Sequence, residues 1–145
     1  QPFIVSEKGA MAMPEHITTV NIPDMDDQHK ELFSAVVALK DSSSCIQDLE
    51  RIIQAVEAHF QAEEELFDKY QLPNMKTHRS EHSRFLVTLR KTLAELATKH
   101  EAKADLSADL QEVVQSSVKW LKIHTNAYDA PQYGTFFKDG EYIGK

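Results

Sequence analysis

Four stretches of this chain place apolar side chains at steps of three and four residues, the spacing of one face of an α-helix. The longest stripe runs through Leu49, Ile52 and Val56 and continues as far as Tyr70. We predict helices from Asp26 or Asp27, as the N-cap, to about Lys40, then over 46–70, from Asn74 to His100, and over 106–128. Four amphipathic helices with short connections favour an all-α, antiparallel up-down-up-down four-helix bundle.

The two ends of the chain differ from this helical part, which covers residues 24–129. Residues 1–23 are interpreted as an N-terminal arm, and within it 1–13, with the segment "EKGAMAM", as a linker or an expression remnant. Beyond "DAP", residues 129–131, the helical period is lost, but aromatic residues continue to Tyr142. We therefore predict that residues 130–145 form a tail that packs on the bundle.

Charge and composition exclude several classes of function. A net charge of −7 argues against a general nucleic-acid binder, since such proteins need basic surfaces to displace counterions from phosphate. No apolar run approaches the roughly 20 residues that a membrane segment requires. The single cysteine, Cys45, allows no intrachain disulfide and fits a reducing, cytoplasmic location.

Six polar residues occupy inward positions that a helical core normally gives to leucine or valine. They are His29, His59, Glu63, His78, His82 and His124. A buried imidazole or carboxylate without partners loses on the order of several kcal/mol of solvation, so a core seldom holds six together. Two pairs are spaced by four residues and project from one helical face, so a metal ion at the bundle axis would satisfy the set.

Asp129 follows His124 by five residues. On an ideal α-helix that step lies about 140° around the axis. The carboxylate therefore reaches the site only if the helix widens locally, for example through a single π turn.

Five imidazoles and two carboxylates are too many ligands for one tetrahedral zinc ion. Two six-coordinate ions have twelve coordination positions, of which five imidazoles and two bridging carboxylates fill nine. A shared oxo or hydroxo group fills two more and leaves one position for a small diatomic ligand. A nitrogen-rich octahedral site with an open position favours Fe(II) over calcium or magnesium, and it differs from the carboxylate-rich ferritin-like sites.

The motifs "DDQH", "HFQAEE", "HRSEH" and "WLKIHTNAYD" resemble those of the hemerythrin family, in order, over residues 24–129. The long stretch between His82 and His124 is more similar to bacterial hemerythrins than to the shorter oxygen carriers of marine worms. The resemblance implies reversible binding of dioxygen at two non-heme iron ions. It assigns one ion to His78, His82 and His124, the other, with the vacant position, to His29 and His59, and the bridging carboxylates to Glu63 and Asp129.

Two positions depart from the family pattern. The arm segment "PEHITTVNI" has no tryptophan, and Thr125 follows the last histidine where family members commonly have isoleucine. Our hypothesis is that this hydroxyl makes the dioxygen pocket wetter and speeds autoxidation. The candidate pocket walls, which are equally well read as ordinary core residues, are Thr125, Leu121, Trp120, Leu32, Phe33 and Phe60.

Other interpretations remain open at this point. A single His-x-x-x-His pair arises often by chance, and a structural bundle without metal is the simplest alternative. Glu64 and Glu65 are interpreted as a solvated face, and His16 and His100 as solvated. An oxygen-binding site would serve storage, delivery to an oxygen-consuming enzyme, or sensing through a fused signalling module. Oxidase, peroxidase-like or nitric-oxide-consuming turnover, and iron storage or transfer, are the rival functions.

Overall fold

The computed structural model describes residue 20 and residues 22–144. The predicted arm over 1–23 lies almost entirely outside these residues, and His16 lies outside them altogether. The elements in chain order are α1 (Pro23–Val37), α2 (Cys45–Tyr70), α3 (Met75–Glu101), α4 (Ser107–His124), a π-helical turn (Thr125–Asp129), α5 (Ala130–Phe136), β1 (Phe137–Lys138) and β2 (Glu141–Tyr142). The predicted all-α class with four long helices is confirmed.

The start of α1 differs from the prediction. The helix begins at Pro23, with Ile22 as its N-cap, so the assignment of the cap to Asp26 or Asp27 was wrong. Proline suits this position because the first helical N–H groups have no partner within the helix. Asp26 instead accepts a hydrogen bond from the backbone N–H of Val20, at 2.9 Å. The helix also ends at Val37, three residues before the predicted end at Lys40.

The chain groups into two compact units. Leu39–Val114 forms the central unit, which contains α2, α3 and the start of α4. The described part of Gln1–Ala38 groups with Gln115–Lys145, and we call this the terminal unit. Within the described residues, no helix has both the length and the apolar character needed to cross a membrane.

In the central unit α2 and α3 run antiparallel. The contacts between them show this, since later residues of α2 meet earlier residues of α3. These pairs are Glu57 with Arg90, Phe60 with Phe85, and Phe67 with His78. The turn between the helices ends α2 with Gln71 in the left-handed conformation (φ 53°). The N–H groups of Gln71 and Leu72 donate to the carbonyls of Asp68 and Phe67, the pattern of a Schellman motif.

The prediction that the helical period is lost beyond "DAP" was wrong, because α5 extends from Ala130 to Phe136. Pro131 stands in the first turn of α5, where its missing N–H interrupts the hydrogen-bond ladder only at the junction with the π turn. The helix then continues to Phe136, and an antiparallel pair of two-residue strands follows it, with Phe137 opposite Tyr142. Tyr133 and Phe137 are buried, so this segment contributes core side chains to the terminal unit.

Candidate metal centre

Glu63 is the centre of the polar cluster in the central unit. Its side chain is fully buried, and the buried imidazoles of His59, His78 and His82 surround it. The Oε2 atom of Glu63 lies 3.3 Å from Nε2 of His59. Its Oε1 atom lies 3.5 Å from Nε2 of His78 and 3.0 Å from Nε2 of His82. The two oxygens of one carboxylate therefore face two different sets of imidazoles.

The local sequence explains this convergence. His59 and Glu63 are four apart on α2, as His78 and His82 are on α3, so each pair projects from one face of its helix. Phe60 stacks on the ring of His82, with centroids 3.8 Å apart and the planes nearly parallel. The antiparallel pairing of the two helices brings the faces together, and the phenyl ring covers one face of the His82 imidazole.

Asp129 is the corresponding carboxylate in the terminal unit. Its Oδ1 atom lies 3.3 Å from Nε2 of His124, and its Oδ2 atom lies 3.6 Å from Nε2 of His29. All three side chains are buried. Here too the two oxygens of one carboxylate face different imidazoles.

The position of Asp129 depends on the π turn. The N–H of Ala130 donates to the carbonyl of Thr125, five residues earlier, so the helix is wider over Thr125–Asp129 than an α-helix is. Residues five apart then share a face, which an α-helix does not allow. The predicted local widening is therefore confirmed, and it is what brings Asp129 to His124.

Both clusters fit a first-row transition metal. Ligand atoms about 2.1 Å from one ion lie about 3.0 Å apart at right angles and about 3.4 Å apart in a tetrahedron. The nitrogen-to-oxygen distances of 3.0–3.6 Å in the two clusters fall close to this range. Every imidazole turns Nε2 towards a carboxylate oxygen, and imidazole with carboxylate is a donor set that iron, zinc and manganese accept.

The predicted pocket walls are buried, with one exception. Leu32, Phe33, Leu121 and Thr125 are buried in the terminal unit, and Phe60 is buried in the central unit. Trp120 is half-buried, and its indole stacks on the ring of His124 with centroids 4.5 Å apart. Thr125 is the first residue of the π turn.

Glu64 contacts the cluster in a way that the sequence interpretation missed. Its Oε2 atom lies 2.9 Å from Nδ1 of His82, and its Oε1 atom accepts a hydrogen bond from Nε of Arg79, at 3.0 Å. The interpretation of Glu64 as a purely solvated residue was wrong, whereas its neighbour Glu65 is exposed as expected. His100 is also not simply solvated, because it is half-buried with Nδ1 3.9 Å from Sγ of Cys45.

Comparisons with known proteins give one consistent result. The sequence model of a family described as the hemerythrin HHE cation binding domain matches residues 20–127. Myohemerythrin from Theromyzon tessulatum is 30% identical over 105 residues, which are 72% of this chain and 77% of that protein. Hemerythrin-like proteins from Naegleria gruberi and Naegleria fowleri are each 33% identical over 63 residues, 43% of this chain and 53% of theirs. No solved structure matches the chain at a significant level.

Proposed function

Because this chain belongs to the hemerythrin family of cation-binding domains, we propose that it binds dioxygen reversibly at a pair of non-heme iron ions. The observation that carries the proposal is that the two oxygens of each buried carboxylate face different imidazoles. Glu63 turns one oxygen towards His59 and the other towards His78 and His82. A carboxylate with its two oxygens directed at different ligand sets is arranged to bridge two ions.

Asp129 supports the same ligand assignment independently. Its Oδ2 atom faces His29 and its Oδ1 atom faces His124. Following the hemerythrin family, we assign these residues to two ions. His29 and His59 would hold one ion, and His78, His82 and His124 would hold the other. Both ions would share Glu63, Asp129 and an oxo or hydroxo group.

The assignment leaves the two ions unequal. The first ion would have five ligands, namely two imidazoles, two carboxylate oxygens and the shared bridge. The second ion would have six, because it has three imidazoles besides two carboxylate oxygens and the same bridge. The vacant position would therefore be on the ion that His29 and His59 hold. When bound, the iron pair supplies the electrons and the open coordination position that a diatomic gas requires.

We propose that the predicted pocket walls control access to that position. Leu32, Phe33, Leu121 and Phe60 are buried and apolar, which favours dioxygen and disfavours water. Thr125 is buried too, but its hydroxyl can hydrogen-bond a water molecule. We propose that it is the most polar element of the pocket wall and that it shortens the lifetime of the oxygenated state.

Oxygen binding at such a centre suits storage, delivery to an oxygen-consuming enzyme, or sensing. A carrier acts alone, whereas a sensor passes the signal to an attached or associated module. All three roles need the same reversible chemistry, and therefore the first experiment tests that chemistry directly.

The experiment is an oxygen titration of the iron-loaded protein. The protein is loaded with Fe(II) under anaerobic conditions, oxygen is admitted, and the visible spectrum is recorded before and after oxygen is removed. We expect a charge-transfer band that appears with oxygen and fades without it. The band should be lost in H78Q and kept in H100Q, because His100 contacts Cys45 and not a carboxylate of the site.

Two outcomes would contradict the proposal. Rapid bleaching with release of peroxide would favour an oxidase or peroxidase-like enzyme. Iron that leaves the protein readily without forming a band would favour iron storage or transfer.

A further inference from the structure

Glu64 connects a buried imidazole of the site with the surface of the central unit. The side chain of His82 is 1% exposed, that of Glu64 is 26% exposed and that of Arg79 is 54% exposed. Two hydrogen bonds of 2.9 and 3.0 Å join the three in series. We infer that Glu64, held by Arg79, is a positioning residue that fixes His82 as an Nε2 metal ligand, an inference that rests on the function proposed above.

The chemistry of the imidazole ring supports this inference. A neutral imidazole carries one N–H and one lone pair, on opposite ring nitrogens. An ionised carboxylate only accepts hydrogen bonds, so Glu64 selects the form of His82 that has its proton on Nδ1. The lone pair then lies on Nε2, the atom that faces Oε1 of Glu63 at 3.0 Å. The negative charge of Glu64 also makes His82 a stronger donor to a cation.

Arg79 adds to this positioning, because Glu64 alone would be free to turn away. A glutamate side chain has several rotatable bonds, and holding it in one rotamer costs conformational entropy. The guanidinium of Arg79 occupies the second carboxylate oxygen and leaves the first one for His82. Arg79 and His82 are three residues apart on α3, so the same helix supplies both the ligand and the clamp.

A simpler explanation is that Glu64 and Arg79 form an ordinary surface ion pair between two helices. The chain contains a matched example of such a pair. Glu57 lies two turns earlier on α2 and pairs with Arg90 of α3, and the two side chains are 55% and 48% exposed. This pair joins the same two helices as the Glu64–Arg79 pair, and it therefore provides the control.

The test compares E64A, E64Q and R79Q with E57A and E57Q. The first readout is the ring tautomer of His82, measured by ¹⁵N NMR on the Zn(II)-loaded protein, because without a metal ion both ring nitrogens face a carboxylate oxygen. The second is the affinity for Zn(II) alone, measured by competition with a chelator. Thermal unfolding of each metal-free variant shows whether it is folded.

We expect the Nδ1–H form of His82 in the unmodified protein and a mixture of forms in E64A. Zn(II) affinity should fall by about 10- to 100-fold in E64A. It should fall less in E64Q, whose amide oxygen still accepts the hydrogen bond, and less again in R79Q. Both Glu57 variants should bind Zn(II) as the unmodified protein does.

Two results would overturn the inference. One is His82 protonated on Nε2 in the unmodified protein, and the other is equal Zn(II) affinity in E64A and E57A. Neither readout involves iron or oxygen. Loss of Zn(II) affinity in E64A in a protein that forms no oxygenated band would therefore support the inference and refute the proposed function.

Discussion

Replacing Glu63 by glutamine changes one oxygen of the site to an amide nitrogen and leaves the side-chain volume almost constant. In the structure both oxygens of this fully buried carboxylate lie 3.0–3.5 Å from imidazole nitrogens. If Glu63 bridges two ions, E63Q removes the negative charge and one bond to metal at the same time. We expect the stability that metal adds to the protein to be largely lost.

The size of the effect follows from linkage between binding and folding. A metal present at 100 times its dissociation constant stabilises the folded state by about 2.7 kcal/mol. If E63Q weakens binding about 100-fold, the same metal concentration adds only about 0.4 kcal/mol. The lost increment of about 2.3 kcal/mol corresponds to roughly 5–9 °C in Tm for a chain of this length.

The assay is thermal unfolding of each variant with and without a fixed concentration of Zn(II). The increment in Tm is compared, not Tm itself, so any effect of E63Q on the metal-free protein cancels. E65Q is the matched control, because Glu65 lies two residues away on the same helix, is exposed, and accepts a hydrogen bond from Gln61. An increment in E63Q equal to that of E65Q would refute the role of Glu63 as a ligand.

Three further perturbations test separate parts of the account. Thr125→Ile should lengthen the lifetime of the oxygenated state measured by stopped-flow spectroscopy, and an unchanged or shorter lifetime would count against a role for the hydroxyl. Phe60→Ala should lower the free energy of unfolding by about 3–5 kcal/mol in urea, because the ring is buried and stacks on His82; a loss below 1 kcal/mol would contradict this. Hydrogen bonds from Ser107 lower the pKa of Asp105, so its contribution to stability is complete above about pH 4 and is lost as the pH falls through the folded-state pKa. Asp105→Ala should therefore be less stable than the unmodified protein at pH 7, the difference should shrink as the pH falls below about 4, and a difference that does not change with pH would contradict the assignment.

Much of the helical structure could be predicted because it depends on local patterns. The boundaries of α2 and α3 follow from inward-facing residues at steps of three and four, most of them apolar, and from the "QLPN" turn, and they agree with the prediction within one residue. The π turn was predictable for a different reason. Asp129 stands five residues after His124, and a carboxylate at that step requires a wider helix to share the face of the histidine.

The ends of the helical part were harder to predict, because proline occurs both in the first turn of a helix and just after a helix ends. Pro23 starts α1, although the N-cap was predicted at Asp26 or Asp27. Pro131 stands in the first turn of α5, although the helical period was predicted to be lost beyond it. A proline in the first turn costs little, since the N–H that it lacks has no partner there. Only the three-dimensional course of the backbone distinguishes a start from a stop.

Glu64 could not be found from periodicity alone. One step along α2 rotates a side chain about 100° away from Glu63, so the helical pattern places Glu64 towards solvent. Its partners, His82 and Arg79, lie on α3, and the register between the two helices determines which of their side chains meet. The predicted greater similarity to bacterial hemerythrins stays a prediction, because the relatives reported above come from other organisms.

Iron content per folded chain tests the central claim most directly. Protein loaded anaerobically with Fe(II) and then desalted should retain two iron ions per chain by elemental analysis, and D129A, which removes one proposed bridge, should retain fewer. One iron ion per chain, or the same iron content in D129A as in the unmodified protein, would contradict a pair of ions bridged by Glu63 and Asp129.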